Sequence, residues 1–299
     1  MQFVKVLIIG AFSQNQTGGS PTAVVLDPGS LSPARMLKVA EKAGTSHTAF
    51  VFEPAEDTQP IELRFFTPAC EIMNCGHGTI AAHYARLIRF GFSGAKSFLQ
   101  KAGNKIQEID FQVNGDQTII FLRQNRIQFS PVAPEIVQKL CDILSIASGS
   151  LSDQLLPILA SPGAGRFLLC LNDSSLLDKI NADLNSLKEI CKENRSMGCF
   201  VYAKENSSMS LFSARMFCPA IGIDEDIING NSSGCLGEYL LKLSGDRENE
   251  ILVKQGKGFN RPGVVIVRSK KINDHYESSI GGEAVLEGEL MIRLDQGDF

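Results

Sequence analysis

Short apolar runs bounded by turn residues alternate along this chain with stretches of helical period. The runs at 23–26, 62–66, 118–122, 167–171, 211–216 and 264–267 predict strands. The opening apolar run, within residues 1–12, predicts the first strand. As a secretory leader its lysine, Lys5, stands late and no small-residue cleavage pattern follows. Residues 33–43 and 187–194 look helical. Two longer helical stretches follow polar, glycine-rich turns. After Asn74-Cys75-Gly76-His77-Gly78-Thr79, the residues Ile80, Tyr84, Leu87 and Ile88 recur at three- and four-residue steps. After Asn229-Gly230-Asn231-Ser232-Ser233-Gly234, Leu236, Tyr239, Leu240 and Leu243 do the same. Each set predicts a helix with one buried face. Gly115-Asp116 and Gly281-Gly282 read as hairpin turns.

The pattern repeats. Residues 64–69 and 215–220 both read R-x-F-x-P-A, at an offset of 151. Phe50-Val51-Phe52 finds its counterpart upstream in Phe200-Val201-Tyr202, and a glycine turn with an apolar helix follows each motif. Aligned neighbours on both sides argue for internal duplication rather than chance. The expected architecture is α+β: two pseudo-symmetric domains, each a sheet wrapped round a central helix. The expected boundaries are 1–128 and 129–299, with a linker at 130–134 and a last strand, about 287–299, returning to the N-terminal half. A cleft where the halves meet is the expected ligand site.

Composition narrows the function. The chain has 299 residues, roughly two domains' worth. It is 43% hydrophobic and 21% charged, which excludes a disordered chain. A net charge of -4 argues against a nucleic-acid partner, and the absence of Trp with only 4 Tyr argues against a base-stacking surface. No apolar run approaches the ~20 residues of a membrane helix, so no membrane partner is expected. The 8 cysteines form no CxxC pair and the 4 histidines no HxxxH pair. That spacing argues against zinc and for free thiols in a reducing cytoplasm.

The chemistry is expected at the two helix starts. Backbone N–H groups and the helix dipole favour an anion there, and small residues let it approach. Gly76-His77-Gly78 and Gly230-Asn231-Ser232 hold equivalent repeat positions, suited to clamping a carboxylate. The bland reading, that Gly76, Gly78, Gly230 and Gly234 only serve the turns, would suffice for one turn but less well for two. Cys75 stands where a helix start stabilises an anionic sulfur. His77 lies in the first turn. Asp226, four residues before Gly230, is a candidate general base. Cys235, inside the second helix, reads as a buried inert thiol, His83 as a packing or surface residue, and His275 as solvent-exposed.

At these residues the chain resembles the phenazine-biosynthesis isomerase-like (PhzF-like) family, a branch of the diaminopimelate epimerase-like fold. Gly19-Ser20-Pro21-Thr22-Ala23-Val24-Val25 is similar to its G-N-P-A-A-V-V, and Thr45-Ser46-His47-Thr48-Ala49-Phe50 to its S-E-T-A-F. Arg64 to Pro68 and Cys75-Gly76-His77-Gly78-Thr79-Ile80-Ala81-Ala82 resemble F-T-P and C-G-H-A-T-L-A-A. Glu225-Asp226 with Gly230 resembles E-D-P-x-T-G-S-A. Gln255-Gly256, Arg261-Pro262-Gly263 and Gly281-Gly282-Glu283-Ala284-Val285 resemble Q-G, G-R-P-G and G-G-x-A-V. C-G-H-G-T-I is also similar to a proline racemase signature, but that family's second cysteine falls on Asp226.

The resemblance implies a cofactor-independent isomerase or epimerase, commonly a dimer, acting on a small carboxylate-bearing molecule, with no cofactor or metal. Carried over residue by residue, the family's proton-moving glutamate falls on His47, its aspartate on Asp226, its histidine on His77 and its binding loop on Gly230 and Asn231. Ser20 stands where the family has asparagine. A histidine shuttles protons near neutral pH, so acid–base isomerisation by His47, Asp226 and His77 is the first expectation. Cys75, Gly76, Gly78, Gly230, Asn231, Ser232 and Ser20 would bind the substrate. The glutamate-to-histidine exchange motivates an alternative: a small-anion binding or scaffold protein that has lost the reaction. A third reading makes Cys75 the base, as in cysteine-dependent racemases.

Overall fold

In the computed structural model, which describes residues 2–56, 59–91, 93–114, 117–205 and 210–295, the chain forms two compact units. The first comprises Met1–Arg123, Arg261–Gly263 and Gly281–Phe299, and the second Gln124–Asn260 and Val264–Ile280. The Gly115-Asp116 turn lies outside the described residues.

The first unit opens with β1 (Gln2–Ser13), antiparallel to β2 (Ser20–Leu26). Helix α1 (Pro33–Ala43) leads to β3 (His47–Phe52), which lies parallel to β2. Cap chemistry sets the limits of α1. The Ser32 side chain accepts the Arg35 N–H, Pro33 opens the helix, and Gly44 ends it at φ 71, a conformation that favours glycine. Met36, Val39 and Ala40 of α1 pack with Val4, Val25, Phe50 and Phe66 in one core cluster. β4 (Ile61–Phe66) runs antiparallel to β3, and short β5 (Glu71–Ile72) pairs with the end of β4. Helix α2 (Gly76–Phe90) then carries the chain to β6 (Lys96–Ala102), parallel to β4, and β7 (Lys105–Asn114) and β8 (Gln117–Arg123) follow as an antiparallel meander.

The second unit has the same order of connections. β9 (Gln128–Pro131), α3 (Pro134–Ile143) and β10 (Ile158–Ser161) precede β11 (Gly165–Leu171). Helix α4 (Leu184–Glu193) links β11 to the parallel strand β12 (Ser196–Lys204). β13 (Leu211–Cys218) is antiparallel to β12, and short β14 (Ile223–Asp226) pairs with its end. Helix α5 (Gly230–Ser244) crosses to β15 (Glu248–Gln255), parallel to β13. β16 (Gly263–Ile272) and β17 (His275–Leu294) complete the chain. Helices α3 and α4 cover a cluster that includes Leu140, Leu187, Phe167, Leu169 and Val201.

Past Ile280, β17 belongs to the first unit, where it pairs with β1 from Ser13↔Glu283 to Gln2↔Leu294. It also pairs with β8. The strands β17, β1, β2, β3, β4, β6, β7 and β8 therefore close into a ring, and α2 packs against β1, β2, β3 and β8.

This geometry corrects three expectations. Gly281-Gly282 is not a turn, because β17 runs through it unbroken. A Cβ at Gly281 would stand 2.3 Å from the Phe121 ring, so glycine is needed for close packing, not for chain reversal. Residues 130–134 are not a linker, because β9 pairs with β10 through Pro131 and α3 begins at Pro134. The central helices also lack the single apolar face that their periodicity suggested. In α2, Ile88 is 46% exposed, while His77, Gly78, Thr79, Ala81, Ala82, His83, Ala85 and Arg86 are buried with Ile80. In α5, Leu243 is 52% exposed. A helix surrounded by strands is buried nearly all round, and small residues win wherever a strand comes close.

The repeated motif has one physical meaning in both units. Arg64 on β4 donates from Nε and Nη2 to the two Glu71 carboxylate oxygens, at 2.7 Å each, and its guanidinium lies 5.4 Å from the Phe66 ring centroid. Arg215 on β13 binds Glu225 in the same two-pronged way, at 2.8 and 2.7 Å, and lies 4.7 Å from the Phe217 ring centroid. Each pair ties a short strand, β5 or β14, to its neighbour just before a central helix begins.

Two outcomes follow for stability. Gly281→Ala should cost about 1–3 kcal/mol in urea unfolding through overpacking, whereas Gly149→Ala, with open space around its Cβ, should change little; equal effects would refute the packing account. His83 of α2 is fully buried against Gln100, and burial, then Arg86, lowers its pKa to about 3. The unfolded chain therefore takes up this proton first. The contribution is complete above about pH 6.5 and is lost as pH falls toward the folded value. Near pH 5 it should cost roughly 2 kcal/mol relative to pH 7, and His83→Gln should remove much of that loss.

Candidate functional site

In the first unit the chemistry gathers at the start of α2. Cys75 is the helix cap, and its Sγ accepts the Gly78 N–H at 3.2 Å. A thiol fills the role usually taken by Ser, Thr, Asp or Asn. Gly76, His77 and Gly78 form the first turn. Gly78 is glycine for packing: a Cβ there would come within 2.6 Å of the Phe65 ring. His47 opens β3, and its ring centroid lies 5.3 Å from that of His77. The edge of Phe12 meets His77 at 6.0 Å, and Phe12 itself holds φ 60, a strained conformation for a bulky residue. Ser20, buried, opens β2 and pairs with Ala11 beside Phe12.

His47, Cys75 and His77 are 9%, 4% and 6% exposed. Burial, reinforced by His77, lowers the His47 pKa to about 3, so the ring is neutral in the resting protein. Its Nδ1 is 3.0 Å from the Ser46 hydroxyl oxygen, which leaves the other ring nitrogen for a further partner. One ligand atom from each of His47, Cys75 and His77 lies within 4.8 Å of the others, the one such group of metal-ligating types found among the described residues. Against the expectation of no metal site from cysteine and histidine spacing, His47 comes from a different element and joins Cys75 and His77 only in the fold.

In the second unit the start of α5 is built differently. Asn229 is the cap, and its Oδ1 accepts the Ser232 N–H at 2.8 Å. Its Nδ2 donates to Asp226 Oδ2 at 2.9 Å, and its backbone N–H donates to Gln255 Oε1 at 2.8 Å. Gln255 Nε2 then donates to Ser233 Oγ at 2.9 Å. Asp226, the last residue of β14, is thus held by the residue that caps the helix. Gly230 opens the first turn, and Ser232 is fully buried with its hydroxyl 3.6 Å from Met216 Sδ. Asn231 accepts from Gln124 Nε2 through both its carbonyl, at 3.1 Å, and its Oδ1, at 3.2 Å. At Gly234 a Cβ would meet the end of the Gln124 side chain, at 1.7 Å from Oε1, so a larger residue there would displace the amide that contacts Asn231.

Asn229, Gln255 and Arg166 matter more than sequence reasoning anticipated. Arg166 is 2% exposed, and its Nη2 donates to the Ala164 carbonyl at 2.9 Å. Its Nε and Nη1 have no hydrogen-bond partner. A buried cation so placed is costly unless an anion accompanies it. A lone charge in an otherwise apolar strand, GRFLLCL, was the one available signal. The neighbouring thiols are protonated: burial, with Asp226 adding to it, drives the Cys218 pKa far up, and burial raises Cys235 to about 11. Cys235 is therefore inert, as expected. His275 is exposed and His83 is a packed core residue.

Comparisons with known proteins converge on one family. The sequence profile of the PhzC-PhzF family, described as phenazine biosynthesis-like protein, matches residues 9–289. An uncharacterized isomerase of Clostridium acetobutylicum is 32% identical, over 95% of this chain and 97% of its own length. The uncharacterized isomerase YddE of Escherichia coli K12 is 28% identical, over 94% of this chain and 96% of its own length. A solved Bacillus anthracis phenazine biosynthesis protein of the PhzF family superposes with TM-score 0.89 at 26% identity, covering 98% of this chain and all of the other. A hydroxyproline epimerase from Agrobacterium vitis, at 11% identity and TM-score 0.61 over 99% of this chain and 93% of its own, shares the fold. With a ring of strands around the central helix of its first unit, a profile match along nearly its whole length and isomerases among its relatives, this chain belongs to the PhzC-PhzF family of phenazine biosynthesis-like proteins.

Proposed function

We propose that this protein is a cofactor-independent isomerase that moves a proton on a small carboxylate-bearing metabolite, with His47, His77 and Asp226 as the proton-handling groups. The observation that carries the reading is the pair of buried imidazoles facing each other 5.3 Å apart at the capped start of α2. Family membership and the isomerase names of its relatives support the same class of reaction.

Each part has a defined task. The positive dipole end at the start of α2 favours an anion, and the carboxylate of the substrate is the anion proposed for it. His47 enters neutral and can accept a proton. An arriving carboxylate favours the imidazolium that results. His77, across from it, shares the negative field and takes the role of orienting partner or second proton carrier. In the second unit the Asn229 amide holds the Asp226 carboxylate, the third proton-handling group of the proposal. Ser20, Gly230, Asn231 and Ser232 complete the proposed binding residues, with Asn231 positioned by Gln124.

Incubation with a panel of small 2-amino and 2-hydroxy acids in heavy water should give enzyme-dependent deuterium uptake at one carbon, read by mass spectrometry. His47→Ala and Asp226→Ala should each slow the exchange by at least about 100-fold, the scale of a lost general acid or base. Full exchange in both variants would remove the residue assignment, and no exchange with any acid would favour the anion-binding alternative.

The same acids should raise the melting temperature of the protein by mass action. Their carboxamides, which lack the charge, should not. Equal stabilisation by acid and amide would sink the carboxylate site.

A further inference from the structure

The buried trio His47, Cys75 and His77 combines two imidazoles and a thiol, the ligand set of borderline-soft ions. Its members come from separate elements, the first residue of β3 and the start of α2. Their ligand atoms lie within 4.8 Å of one another. A tetrahedral zinc ion, with Zn–S near ~2.3 Å and Zn–N near ~2.0–2.1 Å, needs ligand atoms roughly 3.3–3.6 Å apart. Binding would therefore draw the ligand atoms closer together by up to about 1.5 Å.

The surroundings are those of a metal-ready site. The Ser46 hydroxyl contacts Nδ1 of His47, which fixes the ring and leaves the other nitrogen available. The Gly78 N–H already points at Cys75 Sγ and holds the sulfur beside the two rings. Nothing in the proposed proton transfer calls for a thiol beside two imidazoles.

We infer that His47, Cys75 and His77 bind one borderline-soft divalent cation of the Zn2+ type, leaving its fourth position for water or a small ligand. Binding uses lone pairs on side-chain nitrogen and the Cys75 thiolate, releasing the thiol proton to solvent. A metal on His47 occupies the lone pair that would accept a substrate proton. If the isomerase reading above holds, on which this corollary rests, the metal and proton transfer exclude each other, and Zn2+ inhibits the reaction.

The test uses the full chain, stripped with chelator, and the metals alone as probes. Titration with Co2+ should produce a near-ultraviolet sulfur-to-cobalt charge-transfer band and the intense visible bands of a tetrahedral ion, saturating at one ion per chain. Zn2+ should displace it and Mg2+ should not. Cys75→Ser keeps a side chain able to cap α2. It should abolish the charge-transfer band and weaken Zn2+ binding by at least the roughly 100-fold that loss of an outer hydrogen bond alone can cost. His47→Ala and His77→Ala should weaken Zn2+ binding comparably, whereas Cys70→Ser, which removes the exposed thiol, should change nothing. Absence of the sulfur–cobalt band, or binding indifferent to all three trio substitutions, overturns the inference. These readouts need no substrate, so failure of the metal site and failure of the isomerase reading are seen separately.

Discussion

A helix enclosed by strands has almost no water along its first turns, and that constraint shapes both units. Polar groups on such a helix must find partners in the protein or carry a large penalty. In α2 the solution is local and dense. Gln100 bridges Thr79 and His83, and Arg86 grips Glu53 with two hydrogen bonds. In α5, Gln255 ties Asn229 to Ser233. The same crowding selects Gly78 against Phe65. A glycine that looks like an adaptation to a ligand is, at position 78, a requirement of packing.

The approach to each central helix is anchored by the same device. The two-pronged Arg64–Glu71 and Arg215–Glu225 pairs hold short strands immediately upstream of the helix starts. What is mounted on those anchored starts differs. One carries a capping thiol and two imidazoles, groups that accept protons or metal. The other carries a carboxylate held by a capping amide. Corresponding helix starts in the two units thus carry unlike chemical groups.

Burial gives the first of these ends its character. Burial, reinforced by the neighbouring His77, keeps His47 neutral at rest. A neutral imidazole beside a capping sulfur can receive a proton or a soft metal ion. Both uses draw on the same nitrogen lone pair, so the chemical state of this end depends on what reaches it.

Much of this was legible in the chain. The limits of α1 follow from Ser32, Pro33 and Gly44, because caps act locally. The paired R-x-F motifs identified corresponding places in the two halves, and the C-G-H stretch identified a helix start, because both depend on short-range geometry. The buried faces of α2 and α5 were misread. Periodicity presumes one solvent side, and Ile88 and Leu243 lie exposed because enclosure reverses that assumption. Gly281 was misread for a related reason: its neighbour Phe121 is distant along the chain. Sequence by itself determined the elements, the family and the residue types at the helix starts, since these are set by neighbours in the chain. Only the tertiary structure decided that His47 meets Cys75 and His77 and that Arg166 is buried, because β3 and the start of α2 are distant along the chain and meet only when the strands of the first unit close around that helix, and because burial of Arg166 depends on what packs over its strand.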